Sequence, residues 1–381
     1  MNRYLDHNAT CPPVRASLDA MVRAAQEASG NPSSLHWAGR AARRVIDDAR
    51  DAVAHYVGSE SGSVVFSSGG TESDNIAIHS VLSSCMPGRI VTTAIEHPAI
   101  LKPLQKFVAS QPVDAGWQLV QVRPDEHGCV AAEKMIEAMT ADTRLVCMML
   151  VNNESGVVQP VEAVAAHCRN ASVPLLVDAV QALGKVNINF TELNVDFLSL
   201  SAHKIGGPKG VGALLVRRGT KVEELAPGGG QERGRRSGTE NVPAIAGFSA
   251  ALGAIDFAAL SPIRDAFEVQ LLAQFPGAEV IGAKAQRLAN TSLVLLPNMD
   301  GETMLMQLDL DGFAVASGSA CSSGKREASH VLLAMGLSDM RARSSLRVSF
   351  GPDNSIDDAL ALVTALVKIR KRLKGMAGCA A

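Results

Sequence analysis

Short apolar runs alternate with helical patterns along the first two thirds of the chain. Residues 35–57 carry apolar side chains at helical spacing and i,i+4 Arg–Asp pairs on the charged face, which predicts an amphipathic helix. Six apolar runs have the length of fully buried strands: SVVFSS at 63–68, GRIVTTA at 88–94, LVCMMLVN at 145–152, PLLVDA at 174–179, DFLSLSAH at 196–203 and GVGALLVRRG at 210–219. Buried strands that alternate with helices predict an α/β fold with a mostly parallel sheet covered on both faces.

The pattern changes near Pro262. An Ala-rich helical stretch at about 243–259 is followed by a helix, a strand (NTSLVLLP), a helix, a loop, a strand (SLRVSFG) and a terminal helix rich in Leu and Val. We therefore expect a large domain at 14–256 and a smaller α+β domain at 257–381. Residues 1–13 are expected to pack against the small domain.

The composition is that of a folded chain without a strong net charge. Of 381 residues, 47% are hydrophobic and 19% charged, and 36 Lys and Arg balance 38 Asp and Glu to a net charge of −2. This balance gives no bulk attraction to nucleic acid or to an anionic membrane, and the 4% of aromatic residues offer few surfaces for base stacking. We expect neither nucleic acid nor a membrane as a partner.

Targeting and cysteine patterns point to the cytoplasm. The N-terminal sequence MNRYLDHNATCPP lacks a basic region followed by an apolar stretch, and no apolar run approaches the roughly 20 residues that span a bilayer. The seven cysteines are scattered without a CxxC pair, so neither a zinc site nor a disulfide framework is indicated. Reduced thiols in a cytoplasmic protein without a bound metal fit best.

Three predicted strands end in residues suited to chemistry. In VVFSSGGTESDN, Gly70 and Thr71 open a helix whose N-terminus favours a phosphate, although an ordinary capped turn is the alternative. Asp178 ends an apolar strand, where a carboxylate needs a cation or several donors unless it caps a helix. Lys204 follows SLSAH among glycines, where a dry site would make its amine nucleophilic, although an exposed strand-end lysine is common.

Together, a phosphate cradle, an acidic strand end and a recessed lysine are what pyridoxal phosphate requires. At this point the chain resembles the cysteine desulfurases of the NifS/IscS type, which are fold-type I pyridoxal-phosphate enzymes of the class V aminotransferase group. The resemblance runs almost end to end through YLDHNAT, GNPSSLHWAGR, SGGTESDN, EHPA, VNNESGVVQP, VDAVQALG, SAHK, GGGQERGRRSGTEN, SGSAC and LRVSFG. It implies a large domain with a mostly parallel seven-stranded sheet and a smaller C-terminal α+β domain.

The resemblance also implies site residues at the matching positions. Lys204 would bind pyridoxal 5'-phosphate as a Schiff base, and His97 would stack on the cofactor ring and assist proton transfer. Asn152 and Arg347 would bind the substrate carboxylate, for which a guanidinium fork is well suited. The implied cofactor-binding set comprises Gly70, Thr71, His97, Asn152, Asp178 at the pyridine nitrogen, Gln181 at the ring hydroxyl, Ser201, His203, Lys204 and Thr239.

A cysteine stands among serines and glycines in VASGSACSSGKR (315–326), a stretch that cannot pack a core. By residues alone, Cys321 there is either a chance surface thiol or a reactive one. The resemblance implies that Cys321 accepts sulfur from L-cysteine as a persulfide on a movable loop, with alanine as the other product. The resemblance then implies a sulfur-acceptor protein, such as an iron–sulfur scaffold, as a partner. It also implies that Thr239 reaches the cofactor phosphate in the neighbouring subunit, so that the protein is a homodimer with composite active sites.

Two features depart from the family pattern. Cys11 stands where many relatives have threonine, which makes it a second candidate thiol. The tail KGMAGCAA is shorter than the extension with which some relatives dock their scaffold, so nitrogen-fixation and housekeeping roles both stay open. The alternatives are another pyridoxal-phosphate enzyme of this fold, such as a selenocysteine lyase or a kynureninase, and an inactive sulfur-pathway scaffold. Cys321 argues against the first and Lys204 against the second.

Overall fold

The computed structural model describes residues 2–317 and 328–378. The strands in these ranges are β1 (Arg3–Tyr4), β2 (Val64–Ser67), β3 (Arg89–Thr93), β4 (Gln118–Val122), β5 (Thr143–Met149), β6 (Leu175–Asp178), β7 (Phe197–Ser201), β8 (Gly212–Val216), β9 (Glu279–Val280), β10 (Thr291–Leu295), β11 (Phe313–Ala314) and β12 (Ser345–Ser349).

The α-helices of the same ranges are α1 (Arg15–Glu27), α2 (Trp37–Tyr56), α3 (Gly70–Leu82), α4 (Pro98–Ala109), α5 (Ala132–Glu137), α6 (Val161–Ala171), α7 (Phe190–Leu193), α8 (Gln231–Gly234), α9 (Val242–Ala251), α10 (Ser261–Gln274), α11 (Gly301–Leu310), α12 (His330–Ala334), α13 (Asp339–Arg343) and α14 (Ile356–Gly378). In this described part of the chain, no helix combines the length and the apolar character that crossing a membrane requires.

Seven strands form one sheet in the order β2-β8-β7-β6-β5-β3-β4. Only β8 runs antiparallel to its neighbours, and the pairs from β7 through to β4 are all parallel. The predicted mostly parallel seven-stranded sheet is therefore confirmed. Its parallel strands place their carboxyl ends at one edge, where ligands bind in open α/β sheets.

Both faces of this sheet are buried, which explains the continuous apolar runs. On β5, Val146 and Met148 pack on one side, whereas Leu145 and Cys147 pack on the other. Helices α2, α6 and α9 cover the first face, and α3 and α4 cover the second. A parallel sheet covered on both faces needs apolar residues at successive positions, since neither face meets water.

A second core lies in the C-terminal part of the chain. Strands β9, β10 and β12 form an antiparallel sheet that packs against α10, α11 and α14. The N-terminal segment joins this part, because β1 pairs with β11 and Leu5 is buried in the same core. The domain limits at residues 14, 256 and 257 stay a prediction.

In the large sheet the sequence pattern missed one strand, and it overextended one helix. Strand β4 lies at the edge of this sheet and is partly exposed, so its residues lack the apolar run of a buried strand. Helix α9 ends at Ala251, and the chain turns at Gly253, which has a φ of +67°. A positive φ suits glycine and does not continue a helix, so the expected stretch to residue 259 is interrupted.

A buried ion pair fastens the 227–241 segment to the large sheet. Arg50 on α2 donates two hydrogen bonds of 2.8 Å to the carboxylate of Glu232, which also accepts from the N–H of Phe66 at 2.9 Å. The guanidinium further lies over the Phe66 ring, 5.0 Å from its centroid. Since both side chains are buried, each charge depends on the other.

We predict that Arg50→Ala lowers the free energy of unfolding by about 3–5 kcal/mol, because the Glu232 carboxylate stays buried without its partner. Denaturant unfolding followed by circular dichroism measures the change. Arg44→Ala is the matched control, since Arg44 is exposed on the same helix and its loss should cost less than about 0.5 kcal/mol. Equal effects of the two substitutions would contradict a stabilising role for the buried pair.

Candidate active site

A cavity of about 280 Å³ opens at the carboxyl edge of the large sheet. It collects residues from several strand ends and from both ends of the chain. The predicted site residues that line it are Gly70, Thr71, His97, Asp178, Gln181, Ser201, His203, Lys204 and Arg347. Residues separated by hundreds of positions therefore meet in one place, as the topology of a parallel sheet dictates.

One end of the cavity is suited to an anion. Helix α3 begins at Gly70 with no capping side chain, and its first N–H groups belong to the turn that contains Thr71. Gly69 precedes Gly70 and has a φ of +149°. A Cβ atom on Gly212 would lie only 2.7 Å from the Cα atom of Gly69. Two glycines are thus needed for the strand-to-helix turn to approach β8, and the uncapped helix N-terminus favours a phosphate.

Asp178 stands at the end of β6 with 6% of its surface exposed. Its Oδ1 accepts a hydrogen bond of 2.9 Å from the N–H of Val180. Burial raises the pKa of Asp178, while the neighbouring His97 and Lys204 oppose this shift. A carboxylate in such a place needs a cationic partner, and a protonated ring nitrogen would provide one.

Lys204 follows β7 within a short 3-10 turn, Ala202–Lys204. Its Nζ donates to the carbonyl oxygens of Asn8 at 2.6 Å and of Ala9 at 3.0 Å. The N-terminal segment therefore holds the lysine amine at the cavity, close to the end of the neighbouring strand β6 that carries Asp178.

His97 lines the cavity and also caps helix α4. Its Nδ1 accepts a hydrogen bond of 3.1 Å from the N–H of Ala99, which leaves Nε2 to hold the proton. Burial lowers the pKa of His97, with Asp178 opposing this shift. The neutral imidazole is thus fixed in orientation, so the structural and functional interpretations of this residue are compatible.

Ser201 and His203 lie on the side of the cavity formed by the end of β7. Ser201 is buried, and the Nδ1 of His203 lies 3.2 Å from the Thr10 hydroxyl. Burial lowers the pKa of His203 to about 4, helped by the charge of Lys204. This low pKa favours the neutral imidazole at pH 7, which can both donate and accept a hydrogen bond.

Arg347 is the largest fully buried side chain in the described ranges. Its Nη2 pairs with Asp6 at 2.7 Å and its Nη1 donates to the Asn153 carbonyl at 3.0 Å, whereas its buried Nε has no partner among the described residues. A guanidinium held in this way at a cavity suits a carboxylate.

Asn152 lies close by, but it is not among the residues that line the cavity. Its Oδ1 accepts from the N–H groups of Glu154 and Ser155, and its Nδ2 donates to the Ile95 carbonyl. Its neighbour Asn153 lines the cavity instead. The predicted contact of Asn152 with a substrate stays a prediction.

The remaining candidates lie away from the cavity or outside the described residues. Thr239 is exposed and does not line it. Cys321 belongs to the stretch 318–327, which lies outside the described residues. Cys11 is buried against the Nδ1 of His7 at 3.5 Å, and burial raises the pKa of its thiol to about 11. A protonated, buried thiol is a poor nucleophile, so Cys11 is structural.

Among the residues that sequence reasoning missed at this site are Asn8, Asp74 and Lys185. Asn8 supplies a carbonyl oxygen to Lys204, Asp74 lines the cavity from α3, and Lys185 donates to the side chains of both Asn8 and Gln181. The sequence signals were weak, because Asn8 and Asp74 stand within the motifs YLDHNAT and SGGTESDN without a residue type that demands a role. Asp74 is 1% exposed, and burial raises its pKa well above the usual range.

These features fit pyridoxal phosphate. The uncapped N-terminus of α3 suits its phosphate, the buried Asp178 carboxylate suits its ring nitrogen, and the Lys204 amine suits its aldehyde.

Comparisons with known proteins agree with this interpretation. The family model of the class-V aminotransferases matches residues 3–362. The chain is 40% identical over 374 residues to cysteine desulfurase 2 of Trichormus variabilis, covering 96% of this chain and 93% of that protein.

Two solved structures extend the comparison to the fold. A NifS-like protein is 32% identical, with a TM-score of 0.88 over 97% of this chain and 100% of its own. The structure of SspA in complex with cysteine is 30% identical, with a TM-score of 0.82 over 93% of this chain and 100% of its own. The chain therefore belongs to the class-V aminotransferase family, and within it to the pyridoxal-phosphate-dependent cysteine desulfurases.

Proposed function

We propose that the chain converts L-cysteine to L-alanine and transfers the sulfur to Cys321 as a persulfide. Acceptor proteins then take this sulfur for the assembly of iron–sulfur clusters or of other sulfur-containing cofactors. The observation that carries the proposal is the meeting of Lys204, Asp178 and Arg347 around one cavity beside an uncapped helix N-terminus. A solved relative of the same fold that binds cysteine supports the choice of substrate.

Different residues of the chain would bind different parts of the cofactor. The N-terminus of α3 with Thr71, Ser201 and His203 would hold the phosphate, and Asp178 would pair with the ring nitrogen. Gln181 would bind the ring oxygen, and His97 would pack against the ring. Pyridoxal phosphate supplies an electron sink for negative charge that develops at the substrate Cα.

Lys204 and Arg347 act on the substrate. Arg347 binds the substrate carboxylate and orients the amino acid, because its guanidinium is held by Asp6 and by the Asn153 carbonyl. Lys204 would hold the cofactor through its aldehyde, and its Nζ would accept the proton from the substrate Cα. The carbonyl oxygens of Asn8 and Ala9 hold this nitrogen close to its target.

Cys321 completes the transfer. Its thiolate attacks the sulfur of L-cysteine, the C–S bond breaks and a new S–S bond forms. One cysteine and one protein thiol give one alanine and one protein persulfide, so the reaction needs no external oxidant or reductant. The Ser- and Gly-rich sequence of 315–326 suits a residue that must meet both the substrate and an acceptor protein.

We also propose a homodimer in the cytoplasm. Thr239 is exposed in its own subunit, on a segment anchored by Arg50–Glu232 and by a 2.8 Å ion pair between Arg236 and Glu72. An exposed hydroxyl on a firmly held segment is placed to serve a neighbouring molecule. The phosphate of the partner's cofactor would be its ligand.

We predict that Cys321→Ala lowers alanine formation from L-cysteine at least about 100-fold, because the sulfur loses its acceptor. Alanine and sulfide are measured with and without a thiol reductant, and the natural protein should release sulfide only with reductant. Cys11→Ala is the matched control and should stay within about three-fold, since that thiol is buried and protonated. Full desulfurase activity of Cys321→Ala would refute transfer through Cys321.

We predict that Thr239→Ala weakens pyridoxal phosphate binding about 10-fold, the effect of losing one hydrogen bond to a charged group. Mixed dimers of Thr239→Ala and Lys204→Ala subunits should regain natural affinity at the site that keeps Lys204, since the partner supplies an intact Thr239. The cofactor's absorption measures this binding. A partner that carries both substitutions is the control, and equal affinity with either partner would rule out a composite site.

A further inference from the structure

Lys185 lies beside the cofactor cavity but has no assigned role. Gly184, with a φ of +73°, precedes it, and a side chain there would begin 2.9 Å from Cγ2 of Ile205. Only glycine therefore suits this tight turn, which directs Lys185 back toward Asn8 and Gln181. Both of these residues line the cavity.

The terminal nitrogen of Lys185 has three neighbours and no carboxylate among them in the described part of the chain. It donates to Oε1 of Gln181 at 2.9 Å and to Oδ1 of Asn8 at 3.0 Å, and it lies 5.3 Å from the centroid of the Phe257 ring. Burial lowers the pKa of Lys185 to about 7, and the charge of Lys204 adds to this effect. Burying an ammonium group here costs free energy, which its hydrogen bonds have to offset.

These contacts determine which way two amide groups point. The ammonium form of Lys185 offers only N–H donors, and the neutral amine keeps two N–H groups, one for each oxygen, beside its lone pair. Gln181 turns Oε1 toward Lys185, which the ammonium form requires, and this leaves Nε2 on the other side as a donor. That Nε2 donates at 2.8 Å to the Asn8 carbonyl oxygen, the same atom that accepts from Lys204.

We propose that Lys185 is a positioning residue that locks the Gln181 amide with Nε2 facing the cofactor's ring oxygen. The inference rests on the proposed function, in which Gln181 binds that oxygen. Without Lys185 the amide keeps only its hydrogen bond to the Asn8 carbonyl, so the orientation that presents Oε1 to a negatively charged oxygen, which is repulsive, becomes more populated. Lys185 thus favours the deprotonated ring oxygen by way of Gln181, without touching the cofactor.

The test is the pH dependence of the cofactor's absorption in the resting enzyme. A hydrogen bond to a charged form favours that form, so Lys185→Met should raise the midpoint by about 0.5–1 pH unit. The same variant should weaken binding of pyridoxal phosphate to the apoenzyme about 10-fold. Lys185→Arg keeps the N–H donors, so its titration midpoint and its affinity for pyridoxal phosphate should match those of the natural protein. If Lys185 had a merely structural role, these two values would not depend on the donors.

The same substitution in a Gln181→Leu protein distinguishes a positioning role of Lys185 from a direct effect of its charge. The titratable and charged groups that face Lys185 are Lys204, Arg347, Cys11, His7 and His203. In a Gln181→Leu protein, which should show the raised midpoint by itself, Lys185→Met should add no further shift. An additional shift of the same size would mean that the Lys185 charge acts on Lys204 through space, and the positioning role would be wrong.

The outcomes also separate this inference from the proposed function. If the natural protein binds pyridoxal phosphate and desulfurates L-cysteine while Lys185→Met leaves the midpoint unchanged, only the role of Lys185 is refuted. If the natural protein shows no cofactor absorption after incubation with pyridoxal phosphate, the cofactor site itself is refuted, and this inference with it.

Discussion

Burial of the Asp178 carboxylate at the end of a central parallel strand is the constraint on which the site depends. A charge in this position is unfavourable by itself, and burial raises its pKa. The sheet offsets this cost by collecting complementary groups at the same edge, since the carboxyl ends of its parallel strands lie there. His97 and Lys204 follow β3 and β7 to this edge, and the ring nitrogen of the proposed cofactor would add a cationic partner.

Residues from both ends of the chain complete the site at the edge of the sheet. Asp6 pairs with Arg347, and the carbonyl oxygens of Asn8 and Ala9 accept from Lys204. β1 pairs with β11, so the N-terminal segment is held by the C-terminal part of the chain while it reaches the large sheet. One short segment therefore holds both the Arg347 guanidinium and the lysine amine.

The sequence indicated site residues where a charged side chain stands in a setting that disfavours its charge. An Asp after three apolar residues and a Lys among glycines are costly in a buried strand end, which made Asp178 and Lys204 candidates. A helix cap and an exposed strand-end lysine stayed open as alternatives until the two residues were taken together with the glycine turn at Gly70. Lys185 was missed because it follows a glycine near a polar stretch, as an ordinary surface lysine does. Strand β4 was missed for a related reason, since an exposed edge strand lacks the apolar run that marks a buried one.

By itself, then, the sequence determined the alternation of strands and helices, the mostly parallel sheet and the residue types at its carboxyl edge. These properties are local, because they depend on apolar periodicity and on the few residues that come directly after each strand. The tertiary structure alone decided that Asn8 would meet Lys204, that Arg347 would pair with Asp6 and that Lys185 would lie between two amides. Apart from the contact between Lys185 and Gln181, which are four residues apart, these contacts join residues far apart in the chain. No spacing pattern encodes them, since they arise only when the packed core brings the segments together.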